Sequence, residues 1–230
     1  QPRMPGIVID GQELTAGDGQ TVMEAARAHG IDIPALCWHP ALSVTGSCRV
    51  CMVEVEGRGL AIACNLPVRE GLRVLTDSEA VRTQRRRTLQ FLTLNHPVDC
   101  GICDKAGECL LQDYHFLYGR EERRDDVRPF TSRRRPLGDT VTLFVDRCVM
   151  CSRCVRFARE VSGSSELMVI NRGAHEEIDV VPGFPLDNAL SGNVVDLCPV
   201  GALGDKDFLY QQRVWFMKKH PHVCAGCSTG

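Results

Sequence analysis

Asp146-Arg147-Cys148-Val149-Met150-Cys151-Ser152-Arg153-Cys154-Val155-Arg156-Phe157 places three cysteines at C-x2-C-x2-C spacing. Thiolates so spaced bind separate irons from one tight loop, the ligation pattern of a [4Fe–4S] cluster. In two-cluster ferredoxins a fourth cysteine follows three residues later, but Ala158 stands there. Cys198-Pro199 lies far downstream and supplies the missing ligand by the simplest count, giving one set of Cys148, Cys151, Cys154 and Cys198. Val155 and Phe157 are expected to pack beside it and exclude water. Arg147, Arg153 and Arg156 either offset its charge or form a solvated face.

Two more sets precede it. Cys37, Cys48, Cys51 and Cys64 follow C-x10-C-x2-C-x12-C. Four thiolates suit a [2Fe–2S] cluster, two to each iron, and Gly46 and Ser47 are small enough for backbone N–H groups to approach bridging sulfides. A four-cysteine zinc site is the plainer alternative. Cys37-Trp38-His39 raises a Rieske centre, but Cys51 stands where its second histidine would be needed, so His39 reads as structural. His96, Cys100, Cys103 and Cys109 follow H-x3-C-x2-C-x5-C. Three cysteines leave a [4Fe–4S] cluster one ligand short, and His96 stands one helical turn before Cys100 to supply it. Cys224 and Cys227 make an incomplete pair, open to completion by chain beyond Gly230 or by a partner, or to staying empty, with the first and last expected.

The 13 cysteines are an odd number in a 230-residue chain with no visible export signal, which argues against a disulfide framework and for a reducing compartment. Lys and Arg total 27 against 29 Asp and Glu, so composition gives no support for a nucleic-acid or anionic-membrane surface. No run of about 18 apolar residues is present. G-x-G-x-x-G after a strand, the Walker A sequence, the nucleophile elbow and H-E-x-x-H are all missing, so no catalytic residue is assigned. His175, Glu176 and Glu177 read as a polar turn.

Around the cysteines the chain reads as α+β. Ile7-Val8-Ile9 before Asp10-Gly11 predicts a hairpin, and Thr21-Val22-Met23-Glu24 a capping box opening a helix that stops at Gly30. Strands are expected over 52–55, 60–63 and 74–75. Ser78 caps a helix from Glu79 to Asn95 with Val81, Thr88, Leu89, Phe91 and Leu92 inward and Arg85, Arg86 and Arg87 outward. A short helix is expected from Glu108 to Tyr118. Residues 120–136 are charge-dense and read as a surface connector, with Arg133-Arg134-Arg135 a candidate basic patch; a strand from Val141 leads into the cysteine triplet.

His96-Pro97-Val98-Asp99-Cys100-Gly101-Ile102-Cys103-Asp104-Lys105-Ala106-Gly107-Glu108-Cys109-Leu110-Leu111-Gln112 closely resembles the one-His, three-cysteine segment shared by respiratory complex I and some hydrogenases. The family more often has Pro at Gly101 and Gly at Ala106; neither is a ligand position. With the triplet segment and Ser191-Gly192-Asn193-Val194-Val195-Asp196-Leu197-Cys198-Pro199-Val200-Gly201-Ala202-Leu203, the chain from about Ile7 to Val214 resembles the N-terminal region of complex I's large peripheral iron–sulfur subunit. The resemblance implies a ferredoxin-like β-grasp [2Fe–2S] domain over 1–78 and a His-ligated [4Fe–4S] helical segment over 79–119. A connector over 120–138 and a ferredoxin-type [4Fe–4S] domain over 139–213 would follow, and 214–230 would open a molybdopterin-oxidoreductase-like domain. It implies an electron-transfer subunit without a substrate-converting site of its own. FMN and NAD would reside in a flavin-bearing partner, and a further iron–sulfur subunit would lead toward quinone. The location implied is the cytoplasmic face of a membrane-associated complex, in its peripheral arm, with the [2Fe–2S] cluster to one side of the main route. The diaphorase subunit of NAD-linked hydrogenases, and NAD-linked formate dehydrogenases, are the alternatives.

Overall fold

The computed structural model describes residues 4–119, 128–131, 133–218, 220, 221 and 223. Strands β1 (Gly6–Ile9) and β2 (Gln12–Thr15) form the expected hairpin. Asp10 and Gly11 both take positive φ, 50° and 82°, as the two-residue turn that matches strand twist demands. Helix α1 (Val22–Ala28) opens on the capping box: Glu24 N donates to Thr21 Oγ1 at 3.3 Å and Thr21 N donates to the Glu24 carboxylate at 2.7 Å. Strands β3 (Met52–Val55), β4 (Gly59–Ile62) and β5 (Leu72–Leu75) complete a sheet of order β2-β1-β5-β3-β4, in which only β1 and β5 pair in parallel. Ile7, Ile9, Val22, Met23, Val53 and Val74 share its core, each worth about 1.5–3 kcal/mol of burial.

Helix α2 (Glu79–Thr93) is capped by Ser78, whose Oγ accepts from Val81 N at 3.3 Å. Its buried face is Val81, Arg85 and Leu89. Two expectations are corrected. Phe91 is 79% exposed and Arg85 only 1%. The stripe runs at intervals of four residues, which carries it through Arg85 and leaves Phe91 on the opposite side. Arg85 donates to the carbonyls of Val50 and Met52 and to the Tyr118 hydroxyl. These are acceptors at the mouth of β3 that the sheet leaves open. Helix α3 (Leu110–Tyr118) starts two residues later than the sequence suggested.

The remaining strands are β6 (Arg134–Pro136), β7 (Val141–Phe144), β8 (Leu167–Ile170), β9 (Glu177–Val180) and β10 (Leu203–Asp205), with helices α4 (Arg153–Glu160) and α5 (Asn193–Leu197) between them. A three-stranded antiparallel sheet runs β10-β7-β6, and β8 and β9 form a hairpin. Residues 134–136, inside the stretch read as connector, are thus a strand. Arg133 and Arg135 turn one way, toward Asp146, Glu177 and Asp179, at 2.7–3.3 Å; Arg134 turns the other way, into solvent. Most of the basic run is therefore spent in an ion network within the chain. Glu177 belongs to that network, while His175 and Glu176 are exposed as a polar turn should be. A second core joins β7, α4 and α5 to Leu36, Cys37, Cys48 and Val50 of the first module, so packing is continuous across residue 78. No described helix is long and apolar enough to cross a membrane.

Arg85→Ala strips donors from two enclosed carbonyls and is expected to cost about 2–4 kcal/mol in urea unfolding, whereas Arg87→Ala, on the exposed face, should stay within about 0.5 kcal/mol. Equal midpoint shifts would contradict the role given to Arg85.

Candidate metal centres

The eleven described cysteines are all free thiols. In the first set Cys37 and Cys48 lie between α1 and β3, Cys51 precedes β3, and Cys64 sits in a 3-10 turn after β4. All four are buried. Their side chains pair, Cys37 with Cys48 and Cys51 with Cys64. A hydrogen bond from Cys48 lowers the Cys37 thiol to about 4, and Cys48 is raised in return because it holds the shared proton. Cys64 is lowered by Cys51 in the same way. Cys37 also acts electrostatically on Cys51 and Cys64, so the four sulfurs share one neighbourhood. Arg49 takes positive φ, 58°, between Cys48 and Cys51. Half-buried His39 has its pKa lowered by desolvation, and its Nδ1 lies 3.2 Å from Ala41 N, a local structural bond.

In the third set Cys148, Cys151, Cys154 and Cys198 line one small cavity with Leu143, Val149, Ile178, Val200, Leu203 and Arg153. Burial, then the neighbouring thiols, push Cys148 up to about 12 and Cys151 up to about 11. Met150 and Ser152 take positive φ, 49° and 55°. Successive left- and right-handed residues turn backbone N–H groups into a concave nest of the kind that receives anionic groups and iron–sulfur clusters. Met150 N donates to Cys148 Sγ at 3.4 Å, and N–H groups of Arg153 and Val155 approach Cys151 and Cys154. The guanidinium Nε of Arg153, on the cavity wall, is buried without a hydrogen-bond partner. A four-thiolate, anionic group fits this site: four cysteines line it, backbone donors approach the sulfurs, and the unpartnered Nε of Arg153 lies on its wall.

The structure brings Cys100, Cys103 and Cys109 together; burial raises Cys109 to about 11, and Cys100 and Cys103 act on it electrostatically. Backbone N–H groups of Lys105, Leu111 and Gln112 approach the sulfurs of Cys103 and Cys109. His96 is not brought to them in the same way. It lines an adjacent cleft with Asn95, Phe130, Asp146 and Cys148. Burial and the charge of Arg147 lower it to about 4, so at neutral pH it is the uncharged imidazole that a metal requires. Among the described residues no three His, Cys, Asp or Glu side chains close on one point as a single ion requires. Cys224 and Cys227 lie outside the described residues.

Sequence reasoning left Arg147, Arg153 and Arg156 divided between charge compensation and solvent. All three are buried. It missed Arg213 altogether. The Arg213 guanidinium donates to the carbonyls of Cys103, Cys100 and Gly101 at 2.9–3.0 Å and lies 4.8 Å from the Trp215 ring. An arginine far from any cysteine in sequence carries no local signal of such a role.

Family models match 3–79 as "2Fe-2S iron-sulfur cluster binding domain", 85–124 as "NADH-ubiquinone oxidoreductase-G iron-sulfur binding region" and 138–204 as "NADH-quinone oxidoreductase subunit 3, ferredoxin-like domain". A solved chain of a NAD+-reducing [NiFe]-hydrogenase superposes with a TM-score of 0.82 at 32% identity, covering 91% of both chains. The chain is similar to the iron–sulfur region of NADH-quinone oxidoreductase G-subunits. It is 39% identical over 213 residues to the NADH-quinone oxidoreductase G-subunit of Rickettsia typhi, covering 92% of this chain and 32% of that protein. It is also 39% identical over 230 residues to the NADPH-Fe(3+) oxidoreductase subunit alpha of Geobacter sulfurreducens, covering 99% of this chain and 27% of that protein. It thus spans about a third of the length of the curated G-subunit relatives it matches. The chain is a mixed α+β protein with 2Fe–2S and 4Fe–4S ferredoxin-like domains.

Arg213→Ala releases three carbonyls of the Cys100–Cys103 loop. Hydrogen exchange over 100–104 should rise while that over 148–154 stays unchanged; equal protection in the variant would show that Arg213 does not hold the loop.

Proposed function

We propose that this chain is the iron–sulfur relay of a complex I-like NADH-quinone oxidoreductase. It would hold a [2Fe–2S] cluster on Cys37, Cys48, Cys51 and Cys64 and a [4Fe–4S] cluster on His96, Cys100, Cys103 and Cys109. A second [4Fe–4S] cluster would sit on Cys148, Cys151, Cys154 and Cys198. These groups, when bound, supply one-electron redox chemistry without proton or substrate transfer. The chain's own residues bury most of the ligands, Cys100 being exposed, aim N–H groups at the sulfurs and would set the potentials. Its domains would be 1–78, 79–119 and 139–213, with a connector over 120–138 and a further domain opening at 214–230.

The observation that carries this reading is the packing of the three cysteine sets into one continuous network of contacts. Arg156 joins the backbones of Cys37 and Cys151, first set to third. Leu110 N, next to Cys109, donates to Pro199 O, next to Cys198, at 2.9 Å. Arg147, next to Cys148, pairs with Asp99, next to Cys100, at 2.9 Å. A Cβ at Gly201 would collide with Cys103 Sγ. These contacts support a reading in which the third set stands between the other two and the first set lies beside the line of transfer. Electrons would enter singly from a flavin-bearing, NADH-oxidising partner and leave toward quinone through a further iron–sulfur subunit. The complex would lie on the cytoplasmic side of its membrane.

A diaphorase-type role beside an NAD-linked hydrogenase or formate dehydrogenase is the second reading, favoured by the close superposition on the hydrogenase chain. Activity of the natively isolated assembly separates the two: NADH-dependent quinone reduction supports the first, hydrogen- or formate-dependent NAD+ reduction the second.

Anaerobically purified chain should contain about ten irons and ten acid-labile sulfides, with one [2Fe–2S] and two distinct [4Fe–4S] EPR signals on reduction. Zinc without labile sulfide would contradict the relay. His96→Ala should disturb one [4Fe–4S] signal and leave the [2Fe–2S] signal intact; an unchanged spectrum would count against its ligation. The chain freed of flavin and partners should not oxidise NADH, and turnover there would place a substrate site where none is assigned.

A further inference from the structure

Arg153 and Arg156 lie three residues apart on α4, hence on one face of it, and only 8% and 2% of their surfaces reach solvent. Every acceptor they have is neutral. Arg156 donates to the carbonyls of Cys37, Ser43 and Cys151 and to the Ser152 hydroxyl. Arg153 donates to the carbonyls of Trp38 at 2.7 Å, Ala35 at 3.5 Å and Leu197 at 3.4 Å. Each guanidinium therefore spans from the loop around Cys37 to a loop of the third set. Among the described residues neither is paired with an Asp or Glu, unlike Arg147 with Asp99 or Arg133 with Asp146. Glu160, the acid on the same helix, accepts from Ser43 and Arg159 instead.

Two buried cations with neutral acceptors alone are costly to keep. The opposite charge available to both is on the cysteine sulfurs: Arg153 acts electrostatically on Cys151 and Cys198 of the third set and on Cys37 of the first. We propose that Arg153 and Arg156 are shared positioning residues, a cationic bracket that fixes the ligand loops of the first and third sets together and raises the reduction potentials of both groups bound there. The inference rests on the cluster assignment above. Thiolate-ligated clusters gain one negative charge on reduction, and a fixed cation in a low-dielectric site favours that state. The same two guanidiniums serve both sets, so their removal acts on both.

The test is an EPR-monitored redox titration of the full chain and its variants. In Arg156→Gln the midpoints of the [2Fe–2S] cluster and of the all-cysteine [4Fe–4S] cluster should both move to more negative potential, with the His-ligated cluster unmoved. Arg153→Lys and Arg156→Lys keep the charge but lose the fork, and should show the same paired shift, smaller in size. Where the glutamine variant does not retain its clusters, the lysine variants decide. A shift at the third set alone, whose own helix carries the arginines, or a shift at neither set, overturns the bracket. Wild-type chain lacking iron and sulfide overturns the cluster assignment itself, and is told apart by metal content before any titration.

Discussion

A loop that aims several sulfurs at one point cannot also lie in a helix or sheet ladder, so its carbonyls need donors from elsewhere. Arginine side chains supply them throughout this chain. Arg85 serves Val50 and Met52 beside Cys51, Arg153 and Arg156 serve the loops of Cys37, Cys151 and Cys198, and Arg213 serves Cys100, Gly101 and Cys103. The guanidinium fork suits this work because one rigid group reaches several carbonyls and stays charged when enclosed. Fold and site are thus fastened by the same side chains.

The consequence is a set of sites joined by short contacts in place of three independent pockets. Each cysteine set is fixed by residues beside the ligands of its neighbour, so spacing between sites is set by short, stiff contacts and not by long surface loops. Burial of most of the sulfurs, the N–H groups that approach them and the fixed cations behind them would each tune the reduction potential of a bound cluster. The same module occurs in proteins named for quinone, iron and hydrogenase chemistry. That fits a part whose work is relay and whose donor and acceptor lie in other subunits.

Much of this was legible in the sequence, since ligand spacing, turn chemistry and capping are local. The Cys148 triplet, Cys198-Pro199, the Asp10-Gly11 turn and the Thr21–Glu24 box needed no tertiary information. Arg85, Arg153 and Arg156 were misjudged or left open because a charged side chain is exposed by default, and the acceptors that draw Arg156 inward lie 113 and 119 residues away. Strand β6 was hidden by its arginines; the acidic partners of Arg135, Glu177 and Asp179, sit on β9. The adjacency of the first and third sets is a contact between distant segments, and no spacing rule encodes it.

The order of the sites is the central claim, and magnetic coupling between reduced clusters measures it most directly. Relaxation of the [2Fe–2S] EPR signal should be enhanced in the native chain, lose that enhancement in Cys198→Ser, and keep it in Cys103→Ser. Enhancement that survives Cys198→Ser and disappears in Cys103→Ser would place the second set beside the first and contradict the account.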